Sequence, residues 1–384
     1  MRITFIQLVA ALVISLSGCG DHSNESQNSS YTGPSSLPGT SISTNSIPTD
    51  PSSLPFSPSA HPPSKTSQPS QYVTRAARER QPGRVGIANL GATCYLAASL
   101  QALGHSTRIR RTLETTNYVS SNPVQSAFVK IVGDMWDPAG TGEVLDPTEL
   151  VTALFDQCGD GRFYPRTMED AYEAITLIFR SVISAAQGVV SEETPIDRLL
   201  GITINRRQTC MACNAARGTI AQDTALEFIV VIPAPAIQGA AVSLSDCLAT
   251  RTEPEGIDAV YCNACGARNF AVFQPTRISV GDVFFVVLRR FDGHMNKINT
   301  EVDIPLVLDM ARVTLDANVP NYNLVGVVHH LGSSAHTGHY VTEYFDSEKN
   351  EWVRANDGSV TSLNGPPQSV SQSAYLLIYE RPLP

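Results

Sequence analysis

The side chains of this 384-residue chain that could carry out a covalent reaction are a cysteine, a histidine cluster and their amide neighbours. Cys94 follows a Gly91-Ala92-Thr93 turn and opens the run CYLAASLQALGH, whose Leu96, Leu100 and Leu103 recur at helical spacing. A thiol at a helix start meets unpaired N–H groups and the positive end of the helix dipole, both of which favour the thiolate. Asn89 lies five positions upstream, close enough across a tight turn for its amide to reach the same reacting centre and stabilise an oxyanion. A thiol hydrolase also needs an imidazole to take the thiol proton and a polar group to fix that imidazole's tautomer. Four of the eight histidines, His329, His330, His336 and His339, fall in VVHHLGSSAHTGHYVTEYF. His339 stands at the loop-to-strand junction, on a rigid element beside a looser one. The same cluster could also bind a metal or be ordinary loop and strand residues.

A second thiol chemistry is written in two C-x-x-C pairs, Cys210 with Cys213 and Cys262 with Cys265, about 50 residues apart. Two such knuckles supply four thiolates, enough for a closed tetrahedral zinc site. In an oxidising compartment each pair could instead form a disulfide. Cys158 and Cys247 have no partner motif and read as core residues.

The elements that must hold these groups are legible in outline. MEDAYEAITLIFRSVISA has helical spacing at Ile175, Ile178 and Val182, and Asp170 and Glu173, three apart, are expected on one helix face. ALEFIVVIP, VFFVVLRRF, YNLVGVVHHL, HYVTEYF and AYLLIYERP are short, β-branched or aromatic, and bounded by turn residues, so they read as strands. Helices first and strands later is the α+β pattern. A net charge of −9 disfavours nucleic acid and anionic lipid surfaces and suits a protein partner with a basic face.

Upstream of this folded part, MRITFIQLVAALVISLSGCG has the layout of a secretory signal. Its Leu16-Ser17-Gly18-Cys19 resembles the lipobox of bacterial lipoproteins, which implies a lipid on Cys19, export, and a membrane contact only through that anchor. Residues 20–81 are Ser, Pro, Asn, Thr and Gly with few large apolar side chains, the composition of a disordered stalk.

Gly86, Asn89, Gly91, Thr93, Cys94, Tyr95, Leu100 and Gln101 together resemble the cysteine box of the ubiquitin-specific proteases, with Ala97 where that family usually has Asn. Tyr322, Leu324, His330, Gly332, Gly338, His339 and Tyr340 resemble its histidine box, and the Trp352 to Asp357 stretch its third motif. The resemblance spans residues 84–382. It implies a papain-like peptidase with a helical thumb, a β-sheet palm and zinc-knuckle fingers. It also implies hydrolysis after the C-terminal Gly of ubiquitin with no organic cofactor, Cys94 being nucleophile, His339 base and Asn89 oxyanion donor. Asn356 would orient His339, with Asp357 as helper or in exchanged role. Asp170 and Glu173 would receive ubiquitin's basic tail, although Met168, Glu169 and Ala174 depart from the family, and Tyr340 would wall the tail channel. A catalytically silent ubiquitin binder and a protease for a ubiquitin-like modifier are the alternatives.

Overall fold

A computed structural model describes residues 81–383 except 116–121, 141, 143, 160–162, 165, 187–194 and 226. The signal-like segment with Cys19 and the stalk up to residue 80 lie outside the described residues.

After a short strand β1 (Gly86–Ile87), the chain enters the helical region: α1 (Cys94–His105), α2 (Thr107–Thr115), α3 (Pro123–Trp136), the short β2 (Val144–Leu145), α4 (Thr148–Cys158), α5 (Ala171–Ala186) and α6 (Pro195–Leu200). The periodic run from Cys94 to Glu114 is two helices rather than one, broken at Ser106, where the backbone turns extended. All twelve residues of α1 are buried, so it is a central helix packed on every side and not only along the face of Leu96, Leu100 and Leu103. Three of its polar side chains find backbone partners, while the Tyr95 hydroxyl and Gln101 Oε1 are buried without one among the described residues. Ser99 Oγ donates to Tyr95 O at 2.7 Å, Gln101 Nε2 to Val85 O at 2.7 Å, and both ring nitrogens of His105 lie 2.7 Å from backbone carbonyls of Gln101 and Gly83. Those contacts tie the helix to the segment leading into it.

The strands follow. β3 (Ile202–Cys210), β4 (Ala216–Ala225), β7 (Glu255–Cys262) and β8 (Ala267–Val280) form a four-stranded antiparallel sheet in the order β4-β3-β8-β7. Interleaved with them in the chain are β5 (Glu227–Val231), β6 (Val242–Ser243) and α7 (Leu244–Ala249). The larger sheet orders β15-β14-β13-β12-β17-β9-β5, from β9 (Val283–Arg289), β12 (Tyr322–Ser334), β13 (Thr337–Asp346), β14 (Glu351–Asn356), β15 (Ser359–Ser362) and β17 (Ala374–Glu380) with β5. Between β9 and β12 come β10 (Val302–Asp303), β11 (Val307–Leu308), which pairs with β12, and α8 (Met310–Thr314); β16 (Val370–Ser371) precedes β17.

The larger sheet separates two cores, which explains why its central strands are continuously apolar rather than alternating. In β9, Val283, Phe285 and Val287 join the core shared with α1, α3, α4 and α5, while Phe284, Val286 and Leu288 join the core beneath α7 and α8. β17 divides in the same way, Leu376 and Ile378 against Leu377 and Tyr379. Cys158 and Cys247 are buried, one in each core, as expected of packing residues. At the end of β9 the fully buried Arg290 has its guanidinium donating to the carbonyls of Ala374, Ile298, Thr300 and Ser371. That guanidinium fastens the end of β9 to the segment before β10 and to β16 and β17.

Candidate active site and metal centre

Cys94 is the first residue of α1 and is only 4 % exposed. Its helix-start position and the backbone at Tyr340 and Tyr95 favour the thiolate, but burial outweighs them and pushes the thiol above its ordinary value. The expectation of a ready-made thiolate is therefore corrected: Cys94 rests as a thiol, and the carboxylate of Asp357 pushes in the same direction as burial.

The turn before Cys94 is braced by Asn89. Its Oδ1 accepts from the N–H groups of Gly91 (3.1 Å) and Thr93 (3.0 Å), and its Nδ2 donates to Asp357 Oδ2 at 3.1 Å. Thr93 in turn accepts from Leu90 N–H at 2.9 Å. The Asn89 amide nitrogen keeps a second hydrogen for a developing oxyanion.

His339 lies on β13, and its cross-strand partner on β12 is Leu331. Its Nε2 is 2.7 Å from Asn356 Oδ1 and 3.9 Å from Asp357 Oδ2. Because Oδ1 is an acceptor, Nε2 carries the proton and Nδ1 keeps its lone pair, the tautomer a base requires. Asn356 ends β14, and Asp357 opens the turn into β15 with a left-handed backbone, φ 48°. Geometry therefore gives the imidazole contact to Asn356, while Asp357 faces Asn89. The turn is held by Ile87 N–H donating to Asp357 O (3.0 Å), and by a backbone approach so close that a methyl group on Gly86 would sit 2.3 Å from Gly358. The segment leading to the thiol and the turn carrying the amide are thus in direct contact. The paired glycines are the only mark of this in the sequence.

The tail-binding residues fare differently. Asp170 is not on a helix face: it immediately precedes α5, where its Oδ1 accepts from the N–H groups of Tyr172 (2.7 Å) and Glu173 (3.3 Å). Its Oδ2 accepts from Tyr375 Oη at 2.5 Å, and burial raises its carboxyl above the usual range. The i, i+3 pattern misread a helix cap as a surface pair. Glu173 is in the first turn of α5. Tyr340 is 2 % exposed, its ring between those of His330 and Tyr375, so it belongs to the core beneath the site rather than to an open channel wall. Of the other clustered histidines, His329 is bonded to Ser373 Oγ at 3.1 Å and lies 3.3 Å from Glu343, and His336 is exposed at the hairpin tip. The four do not converge on a metal site.

The four knuckle cysteines do converge. Cys210 ends β3 and Cys262 ends β7, and the four sulfurs all lie within 4.8 Å of one another. Cys213 Sγ and Cys262 Sγ are 3.7 Å apart, close to the ~3.8 Å edge of a tetrahedron with ~2.3 Å zinc–sulfur bonds. All four are free thiols, and that spacing is far beyond the ~2.05 Å of a disulfide. Each knuckle turns through a left-handed residue directly after its second cysteine, Asn214 (φ 54°) and Gly266 (φ 67°). Backbone groups at Cys265 and Ala264 lower the Cys262 thiol to about 6. The donor set fits a soft divalent ion such as zinc.

A helical thumb laid on a mixed palm sheet, with a cysteine-tipped antiparallel sheet extending from it, defines the papain-like peptidase fold that the motifs implied. The chain belongs to the ubiquitin carboxyl-terminal hydrolase family, whose pattern matches residues 85–379. Among relatives, ubiquitin carboxyl-terminal hydrolase 23 of Arabidopsis thaliana is 27 % identical over 313 residues, covering 77 % of this chain and 35 % of that protein. Human ubiquitin carboxyl-terminal hydrolase 17-like protein 12 is 27 % identical over 321 residues, covering 78 % of this chain and 57 % of the relative. The chain thus spans little more than half, or less, of these relatives' length. Among solved structures, the SAGA DUB module Ubp8/Sgf11/Sus1/Sgf73 bound to monoubiquitin has a similar fold, with a TM-score of 0.65 at 22 % identity. That match covers 79 % of this chain and 70 % of the other. The same module bound to ubiquitin aldehyde matches with a TM-score of 0.63 at 21 % identity.

Proposed function

We propose that the chain is a cysteine deubiquitinase that hydrolyses the peptide or isopeptide bond after the C-terminal Gly of ubiquitin. The observation that carries the reading is the 2.7 Å contact of His339 Nε2 with Asn356, which leaves Nδ1 as a base beside the residue whose backbone meets Cys94. Nδ1 takes the Cys94 proton as the sulfur attacks the glycyl carbonyl carbon, and the oxyanion is stabilised by the Asn89 amide and the N–H groups at the start of α1. The protonated imidazole then gives its proton to the leaving amine. Water, deprotonated by the same nitrogen, cleaves the thioester and releases ubiquitin. The raised thiol pKa means that Cys94 enters the reaction as a thiol and gives its proton to Nδ1 as its sulfur attacks.

Cys210, Cys213, Cys262 and Cys265 would hold a structural zinc, which ties the two knuckles together when bound and takes no part in the reaction. Glu173, and to a lesser degree the already engaged Asp170, would meet the basic tail of ubiquitin. Export with a lipid on Cys19, as for a bacterial lipoprotein, rests on the Leu16–Cys19 motif alone, and wild-type and Cys19→Ala masses that differ by the sulfur atom and nothing more would remove it.

Release of a fluorophore from the C-terminal amide of ubiquitin tests the activity. Turnover that vanishes in His339→Ala supports it. A protein that binds ubiquitin without turnover is a silent binding module, and one that cleaves a ubiquitin-like conjugate far faster has a different substrate.

A further inference from the structure

His330 is fully buried in the palm, yet among the described residues neither ring nitrogen has a hydrogen-bond partner. Burying two polar atoms without partners is unfavourable, so a histidine kept there must answer to something other than local stability. Its ring is one side of a closed aromatic square: Phe291 at 5.2 Å, Tyr340 at 4.9 Å, and Tyr375 completing it at 6.0 Å from both Phe291 and Tyr340. Its remaining edge points up at the β12–β13 hairpin. A methyl group built on Gly338 would lie 2.5 Å from His330 Nε2, and one on Gly332 would lie 3.2 Å from its Cε1. Gly338 has no left-handed backbone to demand glycine, so its bare Cα is a matter of space, taken by this ring and by the Leu331 carbonyl oxygen 2.6 Å from the same point.

The position of that contact gives it meaning. Gly338 precedes His339 and Tyr340 follows it, so one buried ring grips both neighbours of the candidate base. The β12–β13 ladder is regular as far as Leu331 opposite His339 and then shifts register before Ser334 and Thr337. A bulge re-aims the side chain beside it and leaves the backbone there short of ladder support. The neighbouring loop supplies part of the missing support, through Lys297 N–H to Ser333 O (3.1 Å), Ala335 N–H to Met295 O (3.1 Å), and Lys297 Nζ to His330 O (2.5 Å). Burial, and secondarily Lys297, lowers the His330 imidazole to about 4, so it is neutral and takes no part in proton transfer near neutral pH.

We propose that His330 is a positioning residue for the reaction: its ring is the steric keel that sets the height and register of Gly338–His339–Tyr340, and so aims His339 between Cys94 and Asn356. This inference rests on the reading of His339 as the base. His330→Ala removes the keel, and His330→Phe adds ring atoms at the edge that meets Gly338.

The test is steady-state and single-turnover hydrolysis of a ubiquitin C-terminal fluorophore amide by wild type, His330→Ala, His330→Phe and His339→Ala. Thermal melting and ubiquitin affinity are measured for each substitution in a Cys94→Ala background. Both His330 variants are expected to lose kcat by about 30- to 100-fold with KM within about threefold, the size of effect a misplacement near 1 Å produces. The single-turnover rate of acylation should fall by the same factor as kcat, while ubiquitin affinity in the Cys94→Ala background stays at the level of the unsubstituted His330 protein. If the folded His330 variants keep kcat within about threefold, or lose only KM, or keep the wild-type acylation rate, the keel assignment is wrong. If His339→Ala itself retains kcat, it is the assignment of the base that has failed.

Discussion

Cys94 and the four finger cysteines offer the same atom in opposite settings. Cys94 is a single buried thiol at a helix start, beneath a hairpin that carries an imidazole, and burial raises its pKa. The finger thiols stand at one end of an antiparallel sheet, Cys213 and Cys265 exposed, with backbone groups lowering Cys262 to about 6. A thiol that must lose its proton only during a reaction is kept protonated and given one base. The finger thiols are instead gathered where one ion could meet all four, and backbone groups ease the ionisation of Cys262 alone, while Cys213 and Cys265 are raised. What a cysteine does here is decided by its neighbours and not by its own exposure.

The sharpest way to break this contrast is Cys94→Ser, which should lower ubiquitin-amide hydrolysis by at least about 10⁴-fold while leaving the fold and ubiquitin binding in place. Measurable turnover in that variant would mean that the reacting thiol lies elsewhere. Next in size is the orienter. Asn356→Ala should cost kcat about 10²-fold, and Asp357→Ala about tenfold less than that, because only Asn356 is within hydrogen-bond distance of His339. The reverse order would exchange their roles.

The fingers should answer in a different observable. Cys262→Ser or a strong chelator should release zinc, measured by metal analysis, lower the melting temperature, and raise KM about tenfold or more with kcat nearly unchanged. The smallest effect is in thiol reactivity. In metal-free protein, alkylation of Cys262 by iodoacetamide should already be near its plateau at about pH 7, while that of Cys94 keeps rising with pH into the alkaline range. Peptide mapping across the pH range reads both, and a Cys94 profile with the lower midpoint would contradict the burial argument.

The chemistry of the chain was more legible than its supports. Cys94, His339 and the four knuckle cysteines were readable because each stands in a short local pattern, and the strands around them because continuous apolar runs mark a sheet buried on both faces. What escaped was set by partners remote in sequence. The leucine spacing of α1 could not show that its polar side chains are buried too, three of them bonded to Val85, Gly83 and Ala171. Asp170 and Glu173 looked like a helix-surface pair because a cap and a first-turn residue share the i, i+3 spacing. The raised pKa of Cys94 comes from burial and, secondarily, from Asp357, which is remote in sequence, and helix-start reasoning had no access to either. His330 appeared as one of four clustered histidines and as a letter of a motif, and its place beneath Gly338 emerges once β12 and β13 are paired.

The most direct test of the account is to incubate the metal-loaded wild-type protein with ubiquitin carrying a C-terminal electrophile and to map the adduct by mass spectrometry. One ubiquitin per chain, attached to Cys94 and lost in His339→Ala, is the result expected. An adduct on Cys213 or Cys265, or a protein that binds the probe and remains unmodified, would contradict it.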